Sequence, residues 1–270
     1  MATPLWLVDL IKDLFPYRNP IAGVTRVPVI GEVIDRVAFD GDNMVYLPHD
    51  RVVIDHKFEA PESMVLPSAV VNYFIEQASY HWIMNACLCR QAEQCQDYPQ
   101  DLGCLFLGEA VLKINPRLGR LVTKEEALAH EQRCREAGLV HLIGRDRIDS
   151  MWLGVRPSSR LLTICNCCPC CCLFRVLPRL RPSISQRITR MPGVQLSVSD
   201  DCIGCGQCTR GVCFVDAIHI EGGRAQINAD CRACGRCVEA CPRGAIQLSV
   251  TDTEYVERTI QQLSASVQVG

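Results

Sequence analysis

The chain lacks any apolar stretch able to cross a bilayer, because charged residues break each run well before the roughly 18 residues required. It opens Met1-Ala2-Thr3-Pro4 without a basic leader region, so no secretory signal is expected. No G-x-G-x-x-G follows a strand pattern and no G-x-x-x-x-G-K-[ST] loop occurs, which removes the familiar routes to dinucleotide oxidation and ATP hydrolysis. C-x-x-C-H is absent too, so covalent haem is not indicated. A formal net charge of −2 calls for no nucleic-acid partner. Between Met151 and Ser199 there is neither Asp nor Glu, yet the span holds Arg156, Arg160, Arg175, Arg179, Arg181, Arg187 and Arg190.

Cysteine is what the chain has in excess, with 19 in 270 residues. In an unexported protein this density favours metal binding over disulfides. The distribution is uneven. Residues 1–86 contain none, Cys87, Cys89, Cys95 and Cys104 follow, and Cys134 stands alone. Six more crowd into 165–172, and the last eight occupy 202–241. With 48% hydrophobic and 21% charged residues, the chain can bury a sizeable core. The expected division is a cysteine-rich N-terminal domain over 1–172, a Pro/Arg-rich linker over 173–193, a module over 194–250 and a helix or tail over 251–270.

Two segments of the module repeat: Asp201-CIGCGQCTRGVCFVDAI and Asp230-CRACGRCVEACPRGAI. Each reads Asp, C-x-x-C-x-x-C, a short helical turn, a fourth Cys and an Ala-Ile pair that starts a strand. Three cysteines at every third position of a tight loop can point inward at one centre, and the glycines permit that curl. Strands are expected at 194–198, 217–220, 224–228 and 245–250, with Glu221-Gly222-Gly223 as a hairpin turn. Paired C-x-x-C motifs also occur in zinc ribbons, but zinc has no use for a third Cys in the same register. Over 194–250 the chain resembles the two-cluster bacterial ferredoxins. That resemblance implies a pseudo-twofold (βαβ)2 fold holding two 4Fe–4S clusters with crossed ligation. Cys202, Cys205, Cys208 and Cys241 would hold one cluster, and Cys231, Cys234, Cys237 and Cys213 the other. The sequence departs from the family in having four residues between Cys208 and Cys213 instead of three, and Phe214 where the second repeat has Pro242.

The expected fold class is α+β, with a mixed, mostly helical N-terminal domain beside the ferredoxin module. A first helix begins after Pro4 and carries an apolar stripe of Trp6, Leu7, Leu10, Ile11, Leu14 and Phe15, opposite Asp9, Lys12 and Asp13. Such a stripe docks on the chain's own core, on a partner protein or on a membrane surface. Residues 27–60, rich in Val, Ile and Phe with a turn at Asp40-Gly41, suggest short strands or hairpins. A helix is expected from Pro67 to about Asn85, with Val70, Val71, Phe74, Ile75, Ala78 and Trp82 on its apolar face. It would deliver Cys87 and Cys89, and with Cys95 and Cys104 these form a four-thiolate set for one Fe–S cluster or a zinc ion. Thr123-x-x-Glu126 is a capping box opening a helix that ends at Gly138. On it Cys134 reads as a small buried hydrophobe and His130 as a satisfied or exposed side chain.

Cys165, Cys167, Cys168, Cys170, Cys171 and Cys172 cannot all ligate one cube, since neighbouring side chains diverge, so they are expected to be divided between centres. The arginines around them would offset buried cluster charge or form a basic dock, or simply lie solvated. The motifs Ala86-CLCR, Gly103-CLFLG, Leu121-VTKEEAL, Ala137-GLVHLIGR and Leu162-TICNCCPCCC resemble a group of 4Fe–4S binding proteins of anaerobic bacteria over about residues 62–250. This resemblance supports one or two further Fe–S clusters in the N-terminal region and brings no reaction with it. The expected role is single-electron transfer between redox partner proteins in the cytoplasm, or on the inner face of the membrane through the helix around Trp6–Phe15. The rival is a reductase with an atypical cluster around Cys165–Cys172, and a third reading is a structural or metal-handling protein with zinc in the N-terminal half.

Overall fold

The structure, a computed structural model, describes residues 2–50 and 66–270. The organising element is a seven-stranded sheet of β1 (Asn43–Tyr46), β2 (His81–Met84), β3 (Leu105–Leu107), β4 (Gly119–Val122), β5 (Val140–Arg145), β6 (Leu162–Cys167) and β7 (Ile188–Arg190). Its order is β4-β2-β3-β6-β5-β1-β7. Every pairing is antiparallel except β1 with β7. Central strands buried on both faces have no polar alternation to reveal them. Val140-His-Leu-Ile reads as such a run. The α+β class therefore holds. Helical residues outnumber strand residues in the N-terminal region, but the helices are laid on this sheet.

Because side chains alternate along a strand, the sheet has two distinct cores. Val45, Ile83, Leu105, Leu107, Ile143 and Ile164 face one side, where the helix Ser68–Gln77 adds Val70, Val71, Phe74 and Ile75. Tyr46, Met44, Leu142 and Cys167 face the other side, and Trp82, Met84 and Phe106 continue that face toward β2 and β3.

Two expectations are corrected here. The helix beginning at Pro67 ends at Gln77, and Trp82 lies on β2 between β3 and β4, where its pairing places it on the sheet. Residues 30–39 are helical, and only Asn43–Tyr46 is a strand after the turn at Gly41, where φ is +76°. The spacing of Val29, Val33 and Val37 is a helical period of four, and it prevails over their β-branched character. The remainder of the 27–60 expectation falls on 51–65, outside the described residues.

Residues 173–193 do more than connect. Leu173–Arg179 forms a 3-10 turn, Pro182–Ser185 a helical turn, and β7 completes the sheet beside β1. After it, β8 (Val194–Val198) pairs with β11 (Ile246–Val250), and β9 (Ile218–Glu221) forms a hairpin with β10 (Arg224–Ile227). Glu221 pairs with Arg224, so the hairpin turn is the two residues Gly222 and Gly223, both at positive φ. The helix Tyr255–Ser264 then returns to pack Tyr255, Val256 and Leu263 into the first core. Among the described residues no helix is long and apolar enough to cross a membrane.

Candidate metal centres

The eight C-terminal cysteines fall into two pockets. Cys202, Cys205 and Cys208 share one with Cys241. Cys231, Cys234 and Cys237 share the other with Cys213. In each the fourth thiol comes from the opposite repeat. The loops owe this inward aim to the same left-handed steps, Gly204 and Gly206 in the first and Ala233 and Gly235 in the second. At Gly204 an added Cβ would lie 2.2 Å from the carbonyl oxygen of Gly223, so the first loop has no room for alanine. Ala233 adopts φ +50° despite its Cβ, at a cost of about 1 kcal/mol.

The sulfurs receive peptide hydrogen bonds. The amides of Ala225, Ala217 and Ala233 each donate at 3.3 Å, to Cys202, Cys213 and Cys231. The amides of Ala225 and Gly204 hold the Cys202 thiol below its usual range. Burial pushes Cys234 up to about 12 and raises Cys231 against the Ala233 amide. A buried thiol of this kind ionises when a cation binds it, and the amide donors then stabilise the thiolate. Soft sulfur donors in apolar pockets, with amide dipoles aimed at them, fit an iron–sulfur cluster.

The N-terminal cysteines divide differently from the expected Cys87, Cys89, Cys95, Cys104 foursome. Cys165 and Cys167 share a face of β6, and Cys104, just before β3, lies opposite Cys165 at 3.8 Å. With Cys87, Cys89, Cys172 and also Cys168 they line a cavity of about 460 Å³, walled by Leu14, Phe15, Ile34 and Phe39 and by the carboxyls of Asp146 and Asp149. Cys95 goes instead with Cys168, Cys170 and Cys171. The divergence of neighbours fails at Cys170 and Cys171, whose sulfurs are 3.6 Å apart beyond the end of β6. Cys87 and Cys89 flank the start of the short helix Leu88–Ala92, so a turn after β2 delivers them rather than a long helix. A hydrogen bond from Cys89 brings the Cys87 thiol down to about 6 against its burial, helped by Arg90.

Arg90 was not singled out by spacing, although it ends the Cys-Leu-Cys-Arg motif. Its side chain is fully buried and donates to the carbonyls of Asn166 (2.7 Å) and Leu102. Burial disfavours its charge, but Cys87, Cys168 and Cys104 around it outweigh that and keep it cationic. Asn166 also donates to Glu131 (3.2 Å), and its side-chain oxygen accepts from His141 Nδ1 (2.8 Å). Burial raises Glu131 to about 8 and lowers His141 to about 3, so both are neutral near pH 7. Arg90 therefore has no ionised carboxylate among these neighbours. Of the arginines of the acid-free span, Arg190 favours the thiolate of Cys231, and four others have partners elsewhere. Arg181 and Arg187 pair with Glu32 and Asp35, Arg160 with Glu109, and Arg175 donates to the Pro169 carbonyl in the cysteine loop. Cys134 is wholly buried, and His130 bonds the Gly103 carbonyl at 2.9 Å, which is the satisfied arrangement.

Tyr46 and Phe214 belong to one apolar cluster with Cys165, Cys167 and Cys172 of the cavity and with Cys213, Cys231 and Cys234 of the second pocket. Their ring centroids are 5.6 Å apart. Burial raises the Tyr46 hydroxyl well above its usual range, and Cys172, Cys167 and Cys234 add to the rise. Phe214, which stands where the second repeat has Pro242, lines that pocket and packs on Tyr46.

A 4Fe-4S binding domain matches residues 226–247, which contain Cys231, Cys234, Cys237 and Cys241. No curated protein and no solved structure matches the chain. The match and the cysteine sites identify an iron–sulfur protein with at least one 4Fe–4S cluster and, in general terms, an electron-transfer role.

Proposed function

We propose that the chain is a carrier or redox-complex subunit that passes single electrons between partner proteins. Residues 194–250 would act as a pseudo-twofold, two-cluster module ligated by Cys202, Cys205, Cys208 and Cys241 and by Cys213, Cys231, Cys234 and Cys237. The observation that carries this reading is the pairing of each triplet with the fourth thiol of the other repeat. Bound there, a 4Fe–4S cluster supplies a one-electron couple. The chain's own part is to hold thiolates, to direct amides at them and to exclude water with Leu196, Ile218 and Ile246. A third cluster is proposed in the cavity of Cys87, Cys89, Cys104, Cys165, Cys167 and Cys172. The Tyr46–Phe214 contact would then join it to the module as one relay.

The test is a pair of variants purified without oxygen, with iron, sulfide and EPR measured on each. Cys241→Ser is expected to damage the Cys202/Cys205/Cys208 cluster, and Cys213→Ser the Cys231/Cys234/Cys237 cluster. Damage to the cluster of the same repeat would contradict crossed ligation. About eight irons per chain would confine clusters to the module, and about twelve would admit the third.

A second reading, reduction of a substrate at the six-thiol centre, is favoured by the apolar walls and two carboxyls of that cavity. An EPR signal from that centre that responds to a small molecule would support it. The N-terminal helix is the proposed docking element for a partner or for the inner face of a membrane, since Trp6, Leu10 and Leu14 remain exposed while Val8 and Phe15 are buried. A cytoplasmic setting accords with so many free thiols.

A further inference from the structure

We propose that Cys95, Cys168, Cys170 and Cys171 form a closed mononuclear zinc site, separate from every iron–sulfur cluster of the chain. The four sulfurs all lie within 4.8 Å of one another, with Cys95–Cys170 and Cys170–Cys171 both at 3.6 Å. Four thiolates on one zinc ion, each about 2.3 Å from it in a tetrahedron, stand about 3.8 Å apart. A cube attaches each thiolate to a different iron and holds the sulfurs much farther apart. Among the described residues no other three thiols gather this closely, including either set of the C-terminal module.

The surroundings are those of a structural site. Leu102, Leu139 and Cys134 pack around it, and the amide of Cys171 donates to the Cys168 sulfur at 3.4 Å. Four protein thiolates leave no open position for water or substrate, so the site is not catalytic. A zinc tetrathiolate carries net charge −2, and Arg90, a buried cation beside Cys168, offsets part of it. Asn166 alternates with Cys165 and Cys167 along β6, and the strand ends at Cys167, just before Cys168 of this site. Clamping Cys168, Cys170 and Cys171 to the Cys95 loop would hold the strand so that Cys165, Cys167 and Cys172 face the cavity. The placement of the zinc does not depend on a third cluster being present.

The experiment uses the full chain purified without oxygen from zinc-containing medium, with zinc, iron and acid-labile sulfide counted on the same sample. One zinc per chain is expected. Cys170→Ser, at the least enclosed of the four positions, should lose that zinc and keep its iron and sulfide. Cys170→His, which supplies a ligand that zinc accepts, should keep the metal and guards against a misfolded Ser variant. Cobalt loaded in place of zinc should give the visible bands of a tetrahedral thiolate site, absent from Cys170→Ser. Loss of iron from Cys170→Ser, with or without sulfide, and no zinc in the parent would overturn the assignment. The C-terminal variants above read the iron–sulfur assignment independently, so the two ideas fail separately.

Discussion

At the scale of the residue, Arg90 shows how a buried charge joins two sulfur centres. A guanidinium enclosed in protein persists only beside compensating anions, and here thiolates are the available ones. Arg90→Met keeps much of the volume and removes the charge. It is expected to cost about 3–5 kcal/mol in anaerobic denaturant unfolding, because carbonyls and thiolates lose their donor. Metal content of the N-terminal centres should fall with it, while the 226–247 cluster signal stays. Glu131 offers a pH test. Burial raises its pKa from 4.5 to about 8, so the folded state holds the proton more tightly than the unfolded chain. The stability this contributes is complete below about pH 4.5 and is lost as pH rises through about 8. Relative to Glu131→Gln, the parent should therefore lose stability between about pH 5 and 8, on the order of a few kcal/mol. A parallel pair of profiles would refute a protonated Glu131.

At the scale of the element, the helix Lys124–Glu136 carries the polar network on its buried face through His130, Glu131 and Cys134. Its start was legible in the sequence. The Thr123 hydroxyl accepts from the Glu126 amide at 3.2 Å, and the Glu126 carboxylate accepts from the Thr123 amide at 2.9 Å. Thr123→Ala is expected to destabilise the protein by about 1 kcal/mol, read as a lower unfolding midpoint with metal content unchanged. The helix at 68–77 was harder to bound, since Ala78 to Trp82 continue the apolar composition. Pairing of His81–Met84 with two strands decides where that helix stops. Period-four spacing at 29–37 was present to be read, but β-branched composition obscured it.

At the scale of the whole molecule, module and sheet share one core. Val194, Ile218, Ile246 and Leu248 from the module pack with Val45, Phe74, Leu105 and Ile164, and the last helix and the segment after it close that core with Leu263, Val267 and Val269. Arg236, between two module cysteines, reaches the Gly138 carbonyl and the Tyr98 hydroxyl, both at 2.6 Å. Deleting residues 251–270 would expose four or more buried apolar side chains at about 1.5–3 kcal/mol each. That sum is comparable with the entire stability of a typical domain, about 5–15 kcal/mol. The truncated chain should bind a hydrophobic dye and lack a cooperative unfolding transition. A sharp transition near that of the full chain would show the tail to be dispensable.

Local chemistry determined much of this protein before any fold was known. Cysteine spacing, the repeat, its four strands, the two-glycine hairpin and the capping box are short-range features, and a few consecutive residues specify each. Which N-terminal thiols meet is decided elsewhere. Cys104 meets Cys165 because β3 pairs with β6, and Cys95 meets Cys168 because two loops converge across 73 residues of chain. Strand pairing and the packing of separate segments set those meetings, and linear spacing carries no record of them. The excess of cysteine and the absence of acid beside it announced metal. Only the tertiary structure separated the cavity thiols from a tight tetrad: alternation puts Cys165 and Cys167 on one face of β6, and the chain beyond the end of that strand carries Cys168, Cys170 and Cys171 to Cys95.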